Sequence, residues 1–335
     1  IGSPSMAATV PRIVVAQARM GQEPPGSCEH AVVIVVMGEA LVDLVVGGDV
    51  VTAAPGGAPY NVARGCARLG APTALMATVS GDGFGRRLAD GLAESGVDDA
   101  LLQRTDRPTT LAVAQLDAAG TASYEFYTEG TSAPLLTPER LPDAVDVLVT
   151  GGLGLVLEPI ATAIESVVMA AGPDVLVLVD LNCRPVAVSD DGGYLARLDR
   201  VLARADVVKA SDEDLAYLRP GVPVRMAAEL LVADGVRTVL VTTGGTATTI
   251  VVAGATRTVP VDAVPVVDTI GAGDAFTAGF ATWWRGSGRT RDDLGDVEAL
   301  GTAVRAAHAV AAVVVGRRGS DPPRVADLPE GWATG

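Results

Sequence analysis

The sequence predicts an α/β fold: a mostly parallel central sheet flanked by helices, with a small β-sheet lid. Three observations predict it. Continuous apolar runs bounded by Gly, Asp or Pro recur at Val32 to Met37, Val147 to Thr150, Val175 to Val179 and Val239 to Thr242, and such runs fit strands buried on both faces. Helix-compatible segments lie between them, at Ala58 to Leu69, Phe84 to Glu94, Pro159 to Ala171, Tyr194 to Ala203 and Arg225 to Ala233, and that alternation belongs to a parallel sheet covered by helices. Two places break it: Leu41 to Thr52, and Leu111 to Tyr127, where Leu-Ala-Val-Ala-Gln-Leu, a Gly-containing turn at Ala118 to Thr121 and Ser-Tyr-Glu-Phe-Tyr read as a hairpin. These strands are short and polar at alternate positions, so they read as a lid projecting from the main domain; an ordinary edge hairpin is the alternative.

In chain order, residues 1–30 are expected to be a loosely ordered extension. They carry Arg12, Arg19, Gln, Pro and Gly without an apolar core followed by a cleavage pattern, so they do not read as a signal peptide. Residues 31–325 form the main domain, with lid segments at about 39–55 and 110–130, and 326–335 are expected to be a C-terminal tail. A length of 335 residues allows two domains, or one large α/β domain with an appendage. Apolar runs such as 31–37 and 309–315 fall short of the roughly 20 residues that cross a bilayer, so no membrane partner is expected. Cys28, Cys66 and Cys183 are far apart with no C-x-x-C pair, which fits a reducing cytoplasm better than a disulfide framework or a zinc site.

The formal charge of -15 repels a phosphate backbone, so nucleic acid is not an expected partner and a small molecule is. Lys209 is the only lysine, and the residue before it is Val208, so no P-loop exists. His-Arg-Asp is absent, and neither His30 nor His308 sits in H-E-x-x-H, which removes protein kinases and zincin proteases. No serine sits in G-x-S-x-G, which argues against typical α/β-hydrolases. His308, in an Ala/Val-rich helical stretch, reads as a packed side chain.

The sharpest chemical segment is Val267-Asp268-Thr269-Ile270-Gly271-Ala272-Gly273-Asp274-Ala275-Phe276. A Gly-Ala-Gly turn precedes a stretch of helical composition, so Gly271 to Asp274 should lie at a helix N-terminus, where unpaired N–H groups and the helix dipole favour an anion. Asp274 is expected to stay ionised there, placed to take a proton from a hydroxyl. The other reading is a plain Gly-rich turn, and spacing alone does not decide between them. A second cluster, Gly56-Gly57-Ala58-Pro59-Tyr60-Asn61-Val62-Ala63, precedes a helix ending at Leu69-Gly70 and would bring Asn61 to a ligand. Asp43 shares one face of a short strand with Leu41 and Val45, where a solvated charge is the alternative.

Together these segments resemble the ribokinase-like (PfkB-type) sugar kinase family. Its N-terminal signature resembles Gly-Gly-Ala-x-x-Asn-Val-Ala followed by Leu-Gly, and its C-terminal one Asp-Thr-x-Gly-Ala-Gly-Asp-Ala-Phe; both occur here in the family's order, about 200 residues apart. The resemblance extends through Gly38-Glu39-Ala40-Leu41-Val42-Asp43, Gly81-Asp82-Gly83-Phe84-Gly85, Asp180-Leu181-Asn182-Cys183-Arg184-Pro185 and Lys209-Ala210-Ser211-Asp212-Glu213-Asp214, over roughly 32–325. It implies a Rossmann-like ribokinase fold and an ATP-dependent sugar kinase nearest the fructokinase branch, with ATP and Mg²⁺ as cofactors and a homodimer through the lid.

Residue by residue, the resemblance makes Asp274 the catalytic base and Gly271, Ala272 and Gly273 the anion hole. It sets Asp43, Gly56, Gly57 and Asn61 around the sugar. Asn182, Ser211, Asp214, Thr242 and Gly244 would lie near the ATP phosphates, Gly316 to Ser320 near adenine, and Arg184 would clamp phosphate charge, a plain ion pair being its alternative. The family's Asn-x-x-Glu appears as Ser211-x-x-Asp214, so magnesium contact at the shorter Asp214 would run through water. In Thr242-Thr243-Gly244-Gly245-Thr246-Ala247 the second glycine is Ala247, so that loop is expected to differ in shape. Kinases of the 2-keto-3-deoxygluconate type resemble the chain too, but their lid supplies an arginine after an aromatic pair. Here the stretch is Phe126-Tyr127-Thr128-Glu129-Gly130-Thr131-Ser132-Ala133, which favours a neutral sugar such as fructose. A nucleoside kinase, and a catalytically silent sugar- or nucleotide-binding regulator, are the remaining alternatives.

Overall fold

The computed structural model describes residues 34–47, 49–116, 122–137 and 140–332; the expected extension at 1–30 and hairpin turn at 118–121 lie outside them. Nine strands form the main sheet: β1 (Ile34–Met37), β4 (Thr73–Ser80), β5 (Leu102–Thr105), β8 (Val147–Gly151), β9 (Leu176–Asp180), β10 (Val207–Ser211), β11 (Thr238–Thr242), β12 (Ala247–Val252) and β13 (Ala255–Pro260). Their order is β13-β12-β11-β10-β9-β8-β1-β4-β5. Every pairing from β5 to β11 is parallel, and β12 and β13 add an antiparallel edge.

Alternation along the strands feeds two cores. Ile34 and Val36 of β1 point to one face of the sheet, Val35 and Met37 to the other. Helices α1 (Ala58–Arg68), α2 (Gly83–Ser95), α7 (Ala272–Gly286) and α8 (Val297–Val315) supply the first core; α3 (Ile160–Ala170), α4 (Asp191–Arg204), α5 (Asp212–Leu218) and α6 (Val224–Ala233) supply the second. The central strands β1, β4, β8, β9, β10 and β11 are therefore dry on both faces, which explains the uninterrupted apolar runs.

Two features differ from the sequence expectations. By length and composition α8 is apolar enough to span a bilayer. However, Leu300, Val304, Ala307 and Val310 are buried in the core, and a Cβ at Gly279 of α7 would lie 3.0 Å from the Ala307 Cα, so it packs as a core helix. The segment expected as a tail is anchored as far as Trp332, which is buried and donates its indole N–H to the Ala306 carbonyl at 2.9 Å.

The lid is a separate four-stranded sheet. Its strands β2 (Leu41–Gly47), β3 (Val50–Gly56), β6 (Leu111–Leu116) and β7 (Ala122–Tyr127) pair in the order β3-β2-β6-β7. The Leu41 to Thr52 break is thus the first half of the lid, with Asp43 opposite Ala54 and beside Ala112. Leu41, Ala112 and partly buried Phe126 seat the lid on Leu153.

Candidate active site

The carboxyl ends of the parallel strands converge on one cleft, where open α/β sheets bind ligands. β10 and β11 end in register at Ser211 and Thr242, and β8 and β9 at Gly151 and Asp180. The lid arises from the end of β1, and the N-terminus of α7 closes the remaining side.

That N-terminus is built as its glycines suggest. Gly271 is the cap residue, with φ +77°, and a Cβ on it would come within 2.6 Å of the Ser320 Cβ. Only glycine meets both demands. Asp268 ties the turn to the following loop by accepting from the Gly319 amide at 2.9 Å and the Ile270 amide at 3.0 Å. Ser320 donates to Asn61 Oδ1 at 3.1 Å, and Asn61 Nδ2 donates to Asp274 Oδ2 at 2.8 Å. The two glycine clusters of the sequence therefore meet directly through Asn61 and Asp274.

The three amides expected to form an anion hole are not alike. The Ala272 amide already donates to the Thr269 carbonyl at 3.2 Å, whereas the amides of Gly273 and Asp274 donate to no acceptor among the described residues. Asp274 differs as well. Removal from water, with the neighbouring Asp180 charge adding to it, pushes its carboxyl up to about 6 against the opposing pull of Asn61, Lys209 and Arg184. The helix dipole does not outweigh that cost.

Beneath the turn lies a polar cluster that the motifs do not disclose. Lys209 bonds both oxygens of Asp180 at 3.0 Å, and Thr277 donates to the same carboxylate at 2.8 Å. Both charged groups are buried, and a Cβ at Gly273 would lie 3.0 Å from Lys209 Nζ. Burial opposes the ammonium, yet Asp180, Asp274 and Asp214 hold its pKa above the ordinary lysine value. The one available signal was the only lysine in the chain, set in an apolar strand.

Among the residues expected around the sugar, Asp43 is half-buried. Loss of water pushes it up to about 6, with Arg184 opposing. A Cβ at Gly56 would fall 1.9 Å from Asp43 Oδ2, and Gly57 has φ +102°, so both glycines are required by the carboxylate and by the turn. Asn61 has one amide N–H left for a ligand. Among the residues expected near ATP, Asn182 adopts φ +38°, and exposed Arg184 donates to the Cys183 carbonyl at 3.0 Å. Thr242 and Gly244 begin the loop after β11, Gly244 with φ +54°. Asp214 accepts from the Cys183 amide at 2.7 Å and the Ser211 amide at 2.8 Å, completing a capping box with Ser211. His308 packs as expected, 2.8 Å from the Thr248 hydroxyl and against Phe276.

The arrangement is a half-buried carboxylate of raised affinity for protons, beside free amides at a helix N-terminus, under a lid. The profile of the pfkB family carbohydrate kinases matches residues 32–326. A fructokinase of Rhizobium leguminosarum bv. trifolii is 35% identical over 255 residues, covering 73% of this chain and 78% of that protein. The crystal structure of a Xylella fastidiosa fructokinase with bound ATP superposes with a TM-score of 0.81 at 29% identity, over 89% of this chain and 95% of that one. An aminoimidazole riboside kinase from Salmonella enterica, complexed with its riboside and an ATP analogue, gives a TM-score of 0.73 at 26% identity, covering 86% and 94%. The chain belongs to the pfkB family of carbohydrate kinases and is an ATP-dependent sugar kinase.

Proposed function

We propose that the chain phosphorylates a neutral hexose, fructose foremost, with Asp274 as general base. The observation that carries this reading is the Asp274 carboxyl, held by Asn61 and pushed up to about 6 beside the unclaimed amides of Gly273 and Asp274. The sugar lies between Asp43 and Asp274. Its attacking hydroxyl gives its proton to Asp274 as the oxygen bonds to the γ-phosphorus of ATP, and the bond from that phosphorus to the β-phosphate oxygen breaks. The amides of Gly271, Gly273 and Asp274 and the Arg184 guanidinium stabilise the charge on the moving group. The lid excludes water that would otherwise hydrolyse ATP.

Two fructokinases among its relatives support fructose, while similarity to the riboside kinase keeps a nucleoside as the second reading. The composition of the lid supports a neutral sugar over an acidic one. Its stretch from Phe126 to Ala133 offers a glutamate and no arginine, and a carboxylate left unpaired in a closed site costs several kcal/mol. Fructose is therefore expected to exceed 2-keto-3-deoxygluconate in kcat/KM by roughly 100-fold or more at equal MgATP. A preference for the acid would remove the neutral-sugar reading and leave Asp274 untouched. Val50, Val51, Tyr124 and Tyr127 are exposed on the lid and support pairing with a second copy there.

Magnesium, when bound with ATP, neutralises phosphate charge. No group of three or more His, Cys, Asp or Glu side chains suited to a metal occurs among the described residues. Asp214 already has both oxygens on backbone amides, so the residues fit an ion held chiefly by phosphates and water. Asp214→Ala is expected to raise the magnesium concentration for half-maximal rate and to lower stability by about 1 kcal/mol through the lost cap. Asp214→Glu keeps the carboxylate and should keep the magnesium dependence. Identical magnesium titrations for all three proteins would take Asp214 out of the metal's surroundings.

A further inference from the structure

Glu39 belongs to the Gly38-Glu39-Ala40 bend joining β1 to the first lid strand. It is only 2% exposed, and the reaction described above gives it no part. Its Oε2 accepts from the Gly154 amide at 2.9 Å, and the nearby amides of Glu39 itself and of Ala58 favour its ionised form. Three glycines make room for it. A Cβ at Gly57 would lie 2.7 Å from the Glu39 carbonyl, one at Gly152 3.3 Å from Oε1, and one at Gly154 3.4 Å from Oε2.

Ala58 is the first residue of α1, and the cap residue Gly57 has no side chain to satisfy the exposed amides. A carboxylate from another segment lies beside them instead, since a Cβ at Gly152 would lie 3.3 Å from Glu39 Oε1 and 3.8 Å from the Ala58 Cβ, at the end of the helix where negative charge is favoured. Asn61 follows three residues later and bonds Asp274 at 2.8 Å. We infer that Glu39 is a positioning residue for the catalytic base: bonded to Gly154 and packed at the start of α1 from the lid hinge, it sets the seat of Asn61 and, through Asn61, that of Asp274. Maintaining a carboxylate there has a cost, since burial, with Asp274 adding its charge, pushes Glu39 up to about 7. An apolar residue would avoid that cost but leave the Gly154 amide without an acceptor.

The catalytic consequence rests on the proposed role of Asp274; the structural one does not. Asn61 and Asn182 are the only asparagines in the chain, so selective ¹⁵N-asparagine labelling yields two side-chain amide pairs, which Asn61→Ala assigns. In the parent chain the Asn61 pair is expected to shift as pH crosses about 6. In Glu39→Ala that response is lost, while Glu39→Gln, keeping an oxygen for the Gly154 amide, retains it. Kinetically, Glu39→Ala should lower kcat/KM for the sugar by about 100-fold, as a displacement near 1 Å does, with KM for ATP unchanged. Glu39→Gln should recover most of the loss. Should Glu39→Ala not fold, Glu39→Asp gives the same reading, because its shorter side chain withdraws from Gly154 and Ala58. An Asn61 pair that titrates as in the parent chain in Glu39→Ala or Glu39→Asp overturns the inference, as does equal impairment of the Ala and Gln variants. The resonance is read without sugar or ATP, so a parent chain that phosphorylates no neutral sugar overturns only the substrate reading.

Discussion

Asp274→Asn is expected to lower kcat by about 10²- to 10⁴-fold, with sugar and ATP KM values changed only a few-fold, because proton transfer is made in the transition state. The substitution keeps the shape of the side chain and removes its basicity. Its effect on stability should run the other way. The fold pushes the carboxyl up to about 6, so ionising it at pH 8 works against folding, and a neutral amide relieves that. Asp274→Asn should therefore unfold at the same temperature as the parent or higher, measured by calorimetry at pH 8. Near-normal turnover would remove Asp274 from the mechanism. A large drop in melting temperature would instead make the lost rate a folding defect.

Lys209→Met is expected to destabilise the protein by about 3–5 kcal/mol, the usual result of removing one partner from a buried ion pair. Asp180 would keep its bond from Thr277 but lose the ammonium on both oxygens. Adding Asp180→Asn removes the stranded charge, so the double variant should recover much of the loss in urea unfolding. It should remain slow, because it lacks the cation under Gly273, beside the amides proposed to hold the phosphoryl charge. Equal stability of parent and single variant would mean that the pair is not buried as described.

The main sheet is legible in the sequence because its central strands are dry on both faces, and apolar runs such as 147–150 and 239–242 read as strands wherever they meet Gly or Asp. β10 is harder to read, since Lys209 interrupts Val207-Val208-Lys209-Ala210; its pairing with Asp180 comes from another strand and leaves no local trace. β12, Ala-Thr-Thr-Ile-Val-Val, and β13, Ala-Thr-Arg-Thr-Val-Pro, mix threonine and arginine with apolar residues at the sheet edge, a composition shared by exposed hairpins. The C-terminal segment reads as a tail because one tryptophan among polar residues carries no periodicity, although Trp332 reaches the core.

Within the site, residues whose chemistry depends on their own segment are the legible ones: the Gly271 turn, the helix that starts after it, Asp43 on the lid face. What depends on distant segments is not. The expectation that its surroundings favour the ionised Asp274 follows from its helix alone; burial in the enclosing fold, with Asp180 adding to it, pushes the carboxyl up instead. Asn61 looks free for a sugar in the sequence, yet Ser320 and Asp274, each more than 200 residues away, take two of its hydrogen-bonding positions.

The most direct measurement is sugar-dependent ADP formation followed from pH 5 to pH 8 with fructose and saturating MgATP. ADP should appear only when sugar is present. Its kcat/KM should be level above about pH 7 and fall about tenfold per pH unit below the point where Asp274 takes up its proton, near 6. No fructose-dependent ADP at any pH, or a rate undiminished down to pH 5, would contradict the account.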